Sequence, residues 1–99
     1  MPLMLSRRRL EPGDFETWKT RFESGAAERK AAGCRGVRRF RGVEDRDELV
    51  MIFDWDTIEN GRAFVHKKVA QVRQLSEMRA DGTPKHDYMF VEEMEPLPS

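Results

Sequence analysis

The stretch Leu49-Val50-Met51-Ile52-Phe53-Asp54-Trp55 carries the strongest strand signal in the chain. Side chains alternate across a strand, so Leu49, Met51, Phe53 and Trp55 share one face while Val50 and Ile52 share the other. Both faces are apolar, unlike a sheet with one side in water. One face can lie under helices. The other needs a cover, and a chain of 99 residues supports only one core of its own. A homodimer with its sheets face to face is the expected solution.

Residues 35 to 43, upstream, carry Val37, Phe40 and Val43 among four arginines, and Glu44-Asp45-Arg46-Asp47 separates them from the central stretch. A hairpin is expected. Residues 3 to 10 read as a first strand, closed by the turn signal Glu11-Pro12-Gly13. Asp14 stands at an N-cap position before Phe15, Trp18, Phe22 and Ala26, whose spacing predicts one helix ending at Gly33. Downstream, Thr57 caps a second helix with Ile58, Val65, Val69, Val72, Leu75 and Met78 in helical spacing, up to Asp81-Gly82-Thr83-Pro84. At 1.5 Å per residue this helix would reach about 33 Å. That is more than a small sheet needs, and a break near His66 to Lys68 is expected. Residues 86 to 94 alternate acidic and apolar positions as a last strand, and Pro96-Leu97-Pro98 follows. The order βαββαβ predicts a ferredoxin-like α+β fold, an antiparallel sheet of order 4-1-3-2 within a dimeric α/β barrel. Residues 1–95 form the single expected domain and 96–99 a tail.

Charged residues make up 36% of the chain and the formal net charge is zero. Leu, Ile, Val and Phe number 21, so the signature of disorder is not met. The charge is unevenly distributed: residues 1 to 46 carry +5 and residues 47 to 99 carry −5. Halves that balance in this way pair with each other more readily than with nucleic acid. The short apolar run ahead of Arg7-Arg8-Arg9 does not resemble a signal peptide. No apolar run approaches the roughly 20 residues of a membrane span. One cysteine, Cys34, and two scattered histidines match no zinc spacing, and the lone thiol suits a cytoplasmic setting. Cys34 follows a helix C-terminus, where thiolate is disfavoured. The segment Arg35-Gly36-Val37-Arg38-Arg39-Phe40 lacks the stacking aromatics of an RNA-binding strand.

Two segments stand out as a pattern: Asp14-Phe15-x-x-Trp18-Lys19-x-x-Phe22-Glu23, then Arg29-x-Ala31-Ala32-Gly33-x-Arg35-Gly36-x-Arg38-x-Phe40-Arg41. Glu48-Leu49-Val50, Asp54-Trp55-Asp56, Glu59 and Arg62-Ala63-Phe64 continue it. Over residues 8 to 95 the chain resembles the dimeric α/β-barrel proteins called antibiotic biosynthesis monooxygenase-like or cyclase-like. That resemblance implies a homodimeric enzyme with no metal or organic cofactor. It would deprotonate an aromatic or polyketide-like small molecule, then oxygenate it or close a ring. A non-catalytic dimer that binds a ligand or a partner protein is the alternative. A third reading is haem degradation with His66 as axial ligand.

In such a fold a ligand lies between helices and sheet. Trp18, Phe22, Phe53, Trp55 and Phe64 are then the candidate lining, or simply core. His66 flanks the apolar stripe and is the candidate general base, or else a solvated histidine beside Lys67 and Lys68. Tyr88 is a candidate donor to an oxyanion. His86, close to the loop, reads as surface. Arg38 is a candidate stabiliser of an enolate or carboxylate, or else a partner of Asp54 or Asp56 across the hairpin. Arg7 to Arg9 should come near Glu48 and Asp87, where ion pairing accounts for much of the cluster.

Overall fold

The computed structural model describes residues 1–72 and 85–99, with side chains described through Lys68 and again from Lys85. Its elements are β1 (Leu3–Arg9), α1 (Phe15–Ser24), α2 (Ala26–Ala31), β2 (Cys34–Arg41), β3 (Glu48–Trp55), α3 (Ile58–Val72) and β4 (His86–Val91). The four strands form one antiparallel sheet of order β2-β3-β1-β4. This is the expected 4-1-3-2 arrangement of a ferredoxin-like fold.

Strand β3 behaves as its alternation requires. Leu49, Met51, Phe53 and Trp55 are buried beneath the helices with Met4, Leu10, Trp18, Cys34 and Val65. Met4 and Ser6 of β1 lie opposite Phe53 and Met51 and share that face. The other face carries Leu5, Val50, Ile52, Phe40 and Met89, and no described element covers it. Phe40 is 51% exposed and Met89 59%.

Helix formation departs from expectation in two places. The spacing Phe15, Trp18, Phe22, Ala26 predicted one helix to Gly33, yet it is divided at Gly25 into α1 and α2. Arg29 explains the division: its Nη1 donates to the carbonyl of Phe22 at 2.7 Å and its guanidinium lies 3.9 Å from the Phe22 ring centroid. The end of α1 is thereby satisfied, as orphan carbonyls must be. The break expected near His66 to Lys68 is absent, and α3 runs on to Val72. Between residues 62 and 72 there is no Gly or Pro. Lys67 and Lys68 also tie α3 to Glu28 of α2, at 3.3 and 3.0 Å. Leu75, Met78 and the Asp81-Gly82-Thr83-Pro84 stop signal lie outside the described residues.

Thr57 caps α3 as expected, its Oγ1 accepting from the Asn60 amide at 3.1 Å. Asp14 occupies the N-cap of α1 without a side-chain hydrogen bond. Strand β4 stops at Val91, short of the expected 94, because Val91 lies opposite Leu3 and the preceding residue is Pro2, which has no amide to extend the ladder. Gly33 has φ +109°, and a β-carbon there would run into the Asp56 carboxylate. Its glycine is required.

Candidate functional site

The aromatic candidates assemble, chiefly by packing on one another. Trp18 and Phe22 have ring centroids 5.3 Å apart, Phe22 and Phe53 6.1 Å, Phe53 and Trp55 6.3 Å, and Trp55 and Phe64 5.4 Å. Trp55 is fully buried, and its indole N–H has no hydrogen-bond partner among the described residues. Phe64 alone of the five borders a described groove. This groove, of about 480 Å³, lies between α2, α3 and the end of β3, and Glu28, Arg35, Asp56, Asn60 and Lys67 share its wall. Asp56 is held below the usual carboxylate range first by the Asn60 side-chain amide, with the Thr57 backbone and Arg35 adding to it. A second groove, of about 380 Å³, lies beside Cys34, Arg29 and Val37.

The arginines of β2 divide by face. Arg39 and Arg41 lie on the helix side, where Arg41 stacks 3.6 Å from the Phe15 ring centroid and Arg39 lies 3.9 Å from Glu23. Arg38 stands opposite Ile52 on the outer face, exposed, and has no ion-pair partner among the described residues. The partnership expected for it with Asp54 or Asp56 is made by Arg35, whose Nη2 is 3.6 Å from Asp56. An irregularity between Cys34 and Gly36 shifts the register and brings Arg35 there.

His66 and Tyr88 are not brought together either. His66 is exposed on α3, one residue past the buried Val65. Tyr88 is half-buried against the core on the helix side of β4. The histidine beside Tyr88 is His86. Strand β1 sets Ser6 opposite Tyr88 and Arg8 opposite His86. The Ser6 hydroxyl, on a residue 1% exposed, lies 2.8 Å from Nε2 of His86. The His86 and Tyr88 rings are 6.4 Å apart, and Tyr88 meets Phe90 edge-on. Burial first, and the charge of Arg8 second, hold the His86 imidazole below its ordinary pKa, with Asp87 acting in the opposite sense. The hydrogen bond to Ser6 orients the ring.

Sequence reasoning read His86 as surface, and the residue is exposed at the start of β4, but it gave Ser6 and Arg8 no role in a site. The signal that finds them is cross-strand register: Ser6 and Arg8 alternate onto one face, as do His86, Tyr88 and Phe90. Among the described residues no three His, Cys, Asp or Glu side chains converge as a metal site would need, and no helix is long and apolar enough to cross a membrane.

A ferredoxin-like sheet with a histidine, a hydroxyl and a phenol on its helix-covered face defines a small α+β domain with a polar group set against an aromatic core. Residues 3–75 match the profile of the antibiotic biosynthesis monooxygenase family, and the chain belongs to that family. Among solved structures, it is similar to one described as an antibiotic biosynthesis monooxygenase, at 9% identity and a TM-score of 0.67 over 96% of this chain and all of that one. A variant of MhuD with two manganese protoporphyrin IX molecules per active site matches at 13% identity and a TM-score of 0.65, over the whole of both chains. A protein from Deinococcus radiodurans assigned to the same family matches at 11% identity and a TM-score of 0.65, over all of this chain and 98% of that one. At these identities the likeness is one of fold. No curated protein matches the chain significantly.

Proposed function

We propose that this protein is a homodimeric enzyme of the monooxygenase and cyclase type. It takes an acidic proton from an aromatic or polyketide-like small molecule, and oxygenation or ring closure follows. No metal or organic cofactor takes part in this reading. The observation that carries it is the Ser6, His86 and Tyr88 group: an imidazole held by a buried hydroxyl, with a phenol beside it, on the face that packs against the aromatic core. His86, which the Ser6 hydroxyl holds, is the base in this reading, in place of His66. Tyr88 donates to the oxygen on which negative charge develops. In the oxygenation branch the carbanion reduces dioxygen to a carbon-bound hydroperoxide, which loses water to leave a ketone. The substrate supplies every electron. Arg38, on the outer face, belongs to the proposed contact between protomers and not to this group.

The test is oxygen uptake and product analysis with a panel of polycyclic phenols. His86→Asn should lower kcat by about 100-fold or more, Tyr88→Phe should lower it less, and His66→Ala should leave it unchanged. Loss of turnover in His66→Ala with normal rates in His86→Asn would transfer the base role to His66. Saturable binding without conversion would make the protein a ligand-binding dimer.

A further inference from the structure

Three consecutive arginines end strand β1, and the strand's alternation separates them. Arg7 and Arg9 reach the carboxylates they were expected to meet: Arg7 pairs with Glu48, and Arg9 lies 3.9 Å from both Glu48 and Asp87. Arg8 shares the helix side with Ser6 and makes no ion pair among the described residues. Its Nε is buried and has no hydrogen-bond partner there. The charged group whose field it feels most is another cation, Arg21 of α1, and across the ladder stands His86.

A guanidinium cannot shed its proton to escape burial, as a lysine or histidine can. Arg8 as a whole is half-buried, but an unsatisfied buried donor such as its Nε calls for an explanation in a folded protein. An anion would supply the partner that Nε lacks among the described residues. A planar carboxylate matches the donor edge of an arginine better than a spherical ion does. Arg8 lies two residues from Ser6 along β1 and directly opposite His86, so an anion held there would position the rest of a ligand alongside the proposed base.

We propose that Arg8 is a specificity-determining residue that binds a carboxylate group on the aromatic ligand, anchoring it beside His86 and Tyr88. This inference rests on the small-molecule reading above and deepens it by naming the substrate class: an aromatic acid.

The experiment is calorimetric titration of the full-length protein with 1-hydroxy-2-naphthoic acid and with its carboxamide, which keeps shape and phenol and removes the charge. The wild type should bind the acid at least about tenfold more tightly than the amide. Arg8→Gln should abolish that preference by weakening the acid alone, and Arg8→Lys should restore part of it. Equal affinity of the wild type for acid and amide would overturn the inference and leave the reading of His86 as base intact. Failure of both to bind up to millimolar concentration would overturn both readings. If Arg8→Gln does not fold, as its thermal melt would reveal, the wild-type ratio of the two affinities decides alone.

Discussion

The Ser6 hydroxyl and the Nε2 of His86 lie 2.8 Å apart although 80 residues separate them in the chain. Strands β1 and β4 are neighbours in the sheet, and the diagonal between them puts the two side chains on the same face. The groups around the imidazole are Ser6 and Arg8 from β1 and Asp87 and Tyr88 from its own strand. Burial contributes most to the low pKa and Arg8 comes second, while Asp87 opposes them. Replacing Arg8 by Gln should therefore raise the His86 pKa, and Asp87→Asn should lower it further. An NMR titration of the His86 ring protons reads both, and an unchanged midpoint in Arg8→Gln would refute the electrostatic account.

The same depression fixes the sign of a stability effect. In the unfolded chain His86 protonates near the ordinary value of about 6.5, whereas the folded state resists protonation until lower pH. Between the two values the unfolded state binds more protons. The contribution is fully present above about pH 6.5 and is lost as pH falls through the folded pKa. Asp56 and Glu28, also held low, act only in the carboxylate range below that window. Urea midpoints measured from pH 7.5 down to 5 should fall in the wild type and fall less in His86→Gln.

Gly61 offers a test of packing against propensity. It lies inside α3, where alanine would ordinarily be favoured by about 0.8–1 kcal/mol. A β-carbon there would sit 2.9 Å from a Phe90 ring carbon and 3.0 Å from Trp55 Cδ1. Both are rigid aromatic atoms, and Trp55 is fully buried. Gly61→Ala should destabilise the fold by about 1–3 kcal/mol in denaturant unfolding, the usual range for overpacking. A rise in stability would mean that the Trp55 and Phe90 rings yield to the methyl.

How much of this was legible before the structure depends on how local each signal is. The two-sided apolar pattern of Leu49 to Trp55 and the turn residues around it read directly into the sheet order. The division at Gly25 was hidden because the Phe15, Trp18, Phe22 and Ala26 spacing continues across it, and its cause is a contact from Arg29 that no periodicity shows. His66 drew attention by following Val65. Gly61 and Val65 define the buried stripe of α3, however, and the next residue is rotated about 100° away from it. The Ser6, Arg8, His86 and Tyr88 group needs the β1–β4 register, which joins residues about 80 positions apart. The expected sheet order set the two strands side by side, but composition and spacing carry no record of which residues stand opposite each other.

The outer face yields the last prediction. Ile52 lies on β3 between Leu5 on β1 and Arg38 on β2, with Phe40 and Met89 exposed nearby on the same side. Isolated exposed apolar side chains are ordinary, but a contiguous set across all four strands is a surface that association would remove from water. In the proposed two-fold dimer each copy presents the same face, so a charge at Ile52 would approach its own duplicate. Like charges forced together in a desolvated interface repel strongly, whereas the same side chain on a monomer's open face stays hydrated. Ile52→Glu should therefore convert a dimer to a monomer while the β1–β3 ladder and the buried Met51 and Phe53 remain in place. Sedimentation equilibrium at about 10 μM gives the mass, and far-ultraviolet circular dichroism confirms that the variant is folded. A wild-type monomer, or a folded Ile52→Glu variant that still sediments as a dimer, would show that the two copies do not meet on this face.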